Sequence, residues 1–267
     1  MYSDDELKKL VHDVNEIARG AGTIIRRYFN SDFEITIKGD RSPVTSADLA
    51  ANEFIERKLE SLTPEIPRLT EESTMTPYEF RKDWQLLWLV DPLDGTRQFI
   101  KNKPDFTVNI SLIYLQKPVI GSIYLPIADE LYFASRNSGA FTQKQSAQIK
   151  AISVKNQIGE MVRICGNRDG HGKSTKHFIS HIPNYDFVSR GSSIKSCLIA
   201  EGSADIYPRF GPTWEWDTAA AQCILEEAEG FLTDTNMQPL IYNKESLLNP
   251  SFLAFGDKNV SWQKFCP

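Results

Sequence analysis

The chain is short of cysteine, of positive charge and of long apolar runs, and each shortage closes off a class of function. Its four cysteines, Cys165, Cys197, Cys223 and Cys266, are scattered without a CxxC pair. Neither a disulfide framework nor a zinc knuckle is expected, and the thiols read as reduced and mostly buried. No apolar stretch reaches the ~18 residues a membrane-spanning helix requires. The opening MYSDDELKK is acidic and polar, without the basic start and apolar core of a secretory signal. The expectation is a cytoplasmic protein with no integral membrane segment, peripheral association at the cytoplasmic face of the inner membrane being left open. Lys and Arg number 30 against 35 Asp and Glu, a net charge of −5, and they form no stripe. That argues against a sequence-independent nucleic-acid binder, which needs clustered cations to neutralise phosphates. An anionic partner would have to be recruited by local cations or by metals. Repeats, low-complexity tracts and linkers rich in Gly and Ser are absent too.

What is present is a 267-residue chain, enough for one large domain or two packed halves. From Ser3 to about Asn30 apolar residues recur with a helical period, behind a capping box of Ser3 and Glu6. EITIK alternates as a strand does, and SPVTSADLAANEFIERKLESL restarts a helix with Thr45 or Ser46 as cap. PRLTEE and WQLLWLVD read as strands, the second apolar enough to be central. TVNISLIYL, KPVIGSIYLP and ELYFASRNSGAFT then predict an antiparallel meander. Near residue 146 the pattern changes. AISV, MVRIC and YDFVS are short strands, interleaved with helical segments around 174–181, 192–201 and 217–229, as in an open α/β sheet. Two halves are expected, 1–147 and 148–267, the first built of helices on a largely antiparallel sheet and the second α/β.

The stretch LVDPLDGTRQF sets Asp91 and Asp94 three residues apart around Pro92, just before Gly95. On its own, PLDG can be a plain turn. Its company raises the interest: TEES ends a strand upstream, and WEWDTAAAQC puts Asp217 at a helix start downstream. Three acidic clusters at element ends could converge on one edge of the sheets. Carboxylates packed within a few ångströms cannot all stay ionised unless cations sit among them. An oxygen-only donor set without His or Cys suits Mg²⁺. On this reading Asp91 and Asp94 hold metal, and the rigid Pro92 turn aims the Leu93 carbonyl inward as a further ligand. Gly95 and Thr96 open a short helix whose free N–H groups suit a phosphate, and the WDTAA start offers a second such end, although Asp217 there could be a plain cap. Paired metals beside helix N-termini read as phosphate ester hydrolysis.

The combination SPVTSAD, TEES, DPLDGT followed by Phe99, GSSIK and WDTAA resembles the inositol monophosphatase and fructose bisphosphatase superfamily of Mg²⁺-dependent, lithium-sensitive phosphatases. DPLDGTRQFIK, FTVNISLI, GSSIKSCLIAEG and YPRFGPTWEWDTAA are similar to its 3'(2'),5'-bisphosphate nucleotidase branch, and the likeness covers almost the whole chain. It implies a layered α-β-α-β-α sandwich, α+β and α/β in character, with an antiparallel sheet in the N-terminal half and a smaller mixed sheet in the C-terminal half. It implies two or three Mg²⁺ ions and hydrolysis of the 3'-phosphate of 3'-phosphoadenosine 5'-phosphate, the by-product of sulfate activation, to AMP and phosphate by a metal-activated water. An inositol or sugar monophosphatase is the alternative, and a monomer or homodimer is expected.

Carried over by motif, Glu71, Asp91 and the Leu93 carbonyl would hold one ion, and Asp91, Asp94 and Asp217 another. Glu71 is chosen over Glu72. Thr96 would hydrogen-bond the nucleophilic water and Asp48 would accept from Thr96, although Asp48 alone reads as a first-turn helix acid. A bisphosphate also leaves one phosphate away from the metals, and burying it unpaired is costly, so a second cationic pocket is required. Lys195 and Arg209 are its candidates, with donors from Gly191, Ser192 and Ser193; Gly95, Thr96 and Asp217 complete the substrate contacts. Ala221 departs from the family's usual Gly, and Thr70 from a smaller residue. The segment ICGNRDGHGKST departs from the branch's Ser-Arg-Ser-His-like segment, which leaves the role of residues 165–173 in nucleotide binding open, with His171 as the candidate there.

Other signals are weaker. GHGKS invites a P-loop, but Gly166 and Gly172 enclose NRDGH, one residue too many. His177 and His181 have zinc-compatible spacing and lack a third ligand nearby. The sequon at Asn109 lies inside a predicted strand.

Overall fold

The computed structural model describes residues 2–39, 42–167 and 172–267. His171, and the stretch on which the P-loop comparison turns, lie outside the described residues.

Helix α1 (Asp4–Tyr28) starts on the Ser3–Glu6 capping box and buries Leu7, Val11, Val14, Ala18 and Ile25 along one stripe. Strands β1 (Ile35–Ile37) and β2 (Pro43–Thr45) form a small antiparallel ribbon leading into α2 (Ser46–Leu62). Thr45 is the cap, which resolves the choice between Thr45 and Ser46. There follow β3 (Arg68–Thr70), the single turn α3 (Tyr78–Arg81), β4 (Leu86–Asp94) and the short α4 (Thr96–Ile100).

The meander is β5 (Thr107–Tyr114), β6 (Lys117–Leu125), β7 (Glu130–Ser135), β8 (Ala140–Lys144) and β9 (Lys150–Ile152). The segment ELYFASRNSGAFT is thus a hairpin, because Asn137 and Gly139 adopt positive φ and turn the chain between β7 and β8. The strands make a seven-stranded sheet in sequence order from β3 to β9, antiparallel except for the β3–β4 pair. AISV, grouped by composition with the second half, begins in β9 and pairs with β8, so the first sheet runs past residue 147.

The remaining elements are β10 (Val162–Gly166), α5 (Lys173–Ser180), β11 (Tyr185–Ser189), α6 (Ile194–Ala200), β12 (Ile206–Arg209), α7 (Glu215–Glu227), β13 (Phe231–Asp234), β14 (Phe252–Phe255) and a 3₁₀ turn at Trp262–Phe265. Their five strands form a mixed sheet of order β11-β10-β12-β14-β13.

The layers follow from which faces are apolar. Residues of α1 and α2 bury against Trp88, Val108, Ile110 and Leu112 on one face of the large sheet. The other face, with Leu87, Leu89 and Ile113, packs on α6 and α7, which carry Cys197, Ala220 and Ile224 into the space between the sheets. Ala220 lies so close that a Cβ on Gly121 of β6 would sit 2.4 Å from its carbonyl oxygen. Phe178 of α5 and Trp262 cover the far side of the small sheet. The expected α-β-α-β-α sandwich is what forms.

Candidate metal and phosphate site

The acidic stretch owes its shape to an extra residue. Asp91 pairs with Asn109 and Asp94 with Thr107, so three steps along β4 match two along β5, a β-bulge. DPLD therefore remains within the strand instead of forming the plain turn its composition allows. The Leu93 amide donates to Asp91 Oδ1 at 3.0 Å and fixes that carboxylate. Gly95 then takes φ 101°, and a Cβ there would meet the Asp105 carbonyl at 3.0 Å.

Glu71, just past β3, lies beside β4 because its amide donates to the Val90 carbonyl at 3.1 Å. Asp217 arrives from the second half of the chain on the first turn of α7. Glu71, Asp91 and Asp217 each offer a carboxylate oxygen within 4.8 Å of the others. Burial, then mutual repulsion, pushes Asp91 and Asp217 far above the ordinary aspartate range. Asp94 is half-buried beside them; one oxygen accepts the Ser193 amide at 2.7 Å, while the charges of Lys195 and Arg209 oppose the upward push of desolvation on its carboxyl.

Asp217 combines the two roles that the sequence leaves open. Its Oδ2 accepts the Trp214 amide at 2.8 Å and so caps the helix start, while the carboxylate belongs to the acidic trio. Asp48 does the same on α2. Its Oδ2 accepts the Thr45 amide and hydroxyl, and its Oδ1 accepts the Thr96 hydroxyl at 3.0 Å. The same hydroxyl lies 3.3 Å from the Leu93 carbonyl oxygen. Asp48 is fully buried, and desolvation raises its pKa against the hydrogen bonds from Thr45 and Thr96.

A cavity of about 570 Å³ opens onto this edge, lined among others by Asp94, Thr96, Ser192, Lys195, Arg209 and Asp217. The GSS segment distributes its donors unevenly. The Gly191 amide donates to Asp105 Oδ2 at 3.0 Å, and the Ser193 amide goes to Asp94. Ser192, at the strained φ of 45°, keeps a buried hydroxyl without a partner among the described residues. Of the three, Ser192 is the one left with an uncommitted side-chain donor. Lys195 is buried and donates to the Ser192 carbonyl at 2.7 Å and to Asn167 Oδ1 at 3.2 Å, above the ring of Tyr207. Burial pulls its pKa down to about 8, and Asp94 opposes the shift. Arg209 is half-buried and donates to the Pro212 carbonyl at 3.1 Å; its Nε has no partner among the described residues. It also lines an adjoining cavity of about 220 Å³ with Asn167, Lys173 and Tyr207.

The sequence reading missed Lys38. Its ammonium lies 3.2 Å from Glu71 Oε1 and 2.7 Å from Glu72 Oε1, so one cation already sits among the acids. Burial raises Glu72 to about 7 despite that contact. Nothing in the alternation of EITIK marks Lys38, since the contact joins elements distant in sequence. His177 and His181 lie on the surface of α5, and His181 Nδ1 sits 2.8 Å from the His177 carbonyl. Among the described residues, the one group of three or more His, Cys, Asp and Glu side chains able to share an ion is the Glu71, Asp91 and Asp217 trio.

Comparison with known proteins gives the chain's relatives. The model of the inositol monophosphatase family matches residues 6–261. The chain is 38% identical over 257 residues to the 3'(2'),5'-bisphosphate nucleotidase CysQ of Aggregatibacter actinomycetemcomitans, covering 96% of each. It is 39% identical to the protein of that name from Escherichia coli K12, over 91% of this chain and 98% of the relative. The crystal structure of CysQ from Bacteroides thetaiotaomicron superposes with a TM-score of 0.82 at 36% identity, over 94% of this chain and 98% of that one.

Proposed function

The chain belongs to the inositol monophosphatase family, and from that premise we propose that it is a Mg²⁺-dependent 3'(2'),5'-bisphosphate nucleotidase acting on the 3'-phosphate of 3'-phosphoadenosine 5'-phosphate. The observation that carries the reading is the trio Glu71, Asp91 and Asp217, with oxygens within 4.8 Å of one another. Such a set is hard, anionic and free of His and Cys, which fits Mg²⁺. Glu71, Asp91 and the Leu93 carbonyl would hold one ion, and Asp91, Asp94 and Asp217 a second; a third is compatible with the reading. Bound there, the metal supplies Lewis-acid polarisation of the phosphoryl group and an acidified water.

The remaining chemistry belongs to the chain. With its hydrogen directed to Asp48, the Thr96 hydroxyl presents a lone pair to the attacking water. Asp48, tied through its other oxygen to Thr45, cannot swing away, so the water's proton has a fixed acceptor line. The distal phosphate needs paired cations if it is to leave water. Lys195 and Arg209 provide them, with the Ser192 hydroxyl as a neutral donor. A dianion beside Lys195 would restore its full charge against the downward pull of burial. Gly95 keeps the backbone open next to Thr96, and Gly191 and Ser193 shape the pocket through Asp105 and Asp94. The curated CysQ relatives carry the nucleotidase name, which supports this substrate class over an inositol or sugar phosphate.

A cytoplasmic setting goes with the reading, supported by four free thiols. No described helix is long and apolar enough to cross a membrane. The test is a side-by-side assay with Mg²⁺, with and without Li⁺. The bisphosphate should be turned over far faster than inositol 1-phosphate, and the reverse order would overturn the proposal. Asp94→Asn should nearly abolish turnover while leaving the fold intact.

A further inference from the structure

Beneath the acidic trio lies a polar cluster that the sequence hides inside an apolar strand. Thr107, Asn109 and Ser193 are all buried. Asn109 faces Asp91 across the β4–β5 ladder, and Thr107 faces Asp94 across the bulge. Asn109 Oδ1 accepts the Ser193 hydroxyl at 2.8 Å and the Thr107 hydroxyl at 3.1 Å, and the two hydroxyls are 2.8 Å apart. Ser193 in turn gives its amide to Asp94 Oδ2 at 2.7 Å. Among the described residues Asn109 Nδ2 has no partner of ordinary geometry, yet this amide favours the charged form of Asp94. The cluster thus joins β5, the bulged end of β4 and the start of α6, and so bridges the two halves of the chain at one carboxylate.

A buried amide is expensive unless its groups are used. We propose that Asn109, braced by Thr107, is a positioning residue that holds Asp94 and the Ser193 turn in the arrangement needed to bind metal. The inference rests on the metal-dependent reading given above. The bulge supplies the reason: the extra residue in β4 breaks the ladder beside Asp94, and without a brace that carboxylate is free to rotate.

The experiment is a Mg²⁺ titration of the full chain followed in two ways, by thermal shift without substrate and by turnover of 3'-phosphoadenosine 5'-phosphate. Asn109→Ala should raise the Mg²⁺ half-saturation roughly 10–100-fold in both. At saturating Mg²⁺ the KM for the nucleotide should stay close to wild type. Thr107→Val keeps the shape of the side chain and should move the half-saturation in the same direction by a smaller factor, so a poorly folded alanine variant does not stop the test. An unchanged Mg²⁺ half-saturation in a folded variant, or an effect confined to the nucleotide KM, overturns the inference. If wild-type protein responds to Mg²⁺ in neither readout, the proposed function itself fails, and the brace with it.

Discussion

Helices α1 and α2 open with the same device and put it to different uses. Ser3 and Glu6 form a capping box at the start of α1, and Thr45 and Asp48 form one at the start of α2. Glu6 is exposed, and its bonds to Ser3 hold its carboxyl below the ordinary range. Asp48 makes equivalent bonds to Thr45, but burial dominates and its carboxyl is raised. At α1 the acid does nothing beyond capping. At α2 the second oxygen meets Thr96, and at α7 Asp217 likewise accepts the amide that precedes its helix while contributing to the acidic trio. A capping signature specifies a helix start, and burial decides whether its acid is also available for chemistry.

The comparison is broken most sharply at α7. Asp217→Asn retains an oxygen that can accept the Trp214 amide, so the melting temperature should barely move, while turnover should fall beyond the roughly hundredfold cost typical of a residue that only supports a ligand. Near-normal turnover in this variant would separate Asp217 from the metal site. At α2, Thr96→Val and Asp48→Asn should each lower kcat about 10²–10³-fold with little change in KM, as expected for lost orientation of a water. A change in KM alone would move both residues to substrate binding.

A weaker effect concerns stability. Glu72 titrates at about 7 in the folded protein against the ordinary 4.5, and Asp91, Asp94 and Asp217 are raised as well. The folded state then holds more protons than the unfolded chain between those limits, so protein treated with chelator should lose stability as pH rises from about 4.5 to about 7. Mg²⁺ should reduce that loss by pairing with the carboxylates. A melting temperature independent of pH in chelator would contradict the raised values. The smallest effect belongs to α1. Ser3→Ala should lower the melting temperature slightly and leave kcat unchanged, and any loss of turnover would undo the contrast between the two helix starts.

Much of the architecture was legible because its causes are local. The period of α1, the capping box of Ser3 and Glu6 and the apolar run of β4 each reflect neighbours within a turn or a strand, and the elements formed where those signals lie. The boundary of the first sheet was less legible, since AISV reads equally well as a strand of either sheet and only pairing with β8 assigns it. Asp91 and Asp94 stood out through their spacing and Asp217 through its helix start. Lys38 and Asn109 did not. Lys38 acts through an ion pair with another element, and Asn109 passes for one polar residue in an apolar strand until Thr107 and Ser193 are brought around it.

Local chemistry along the chain was enough to specify helix starts, strand runs and an excess of oxygen ligands over nitrogen and sulfur ones. Which of those acids meet was settled in three dimensions. Packing α7 between the sheets carries Asp217 to Glu71 and Asp91, and the bulge in β4 sets how Asp94 is held. The reason is that the cost of gathering like charges depends on distance and burial, and neither exists until the layers close.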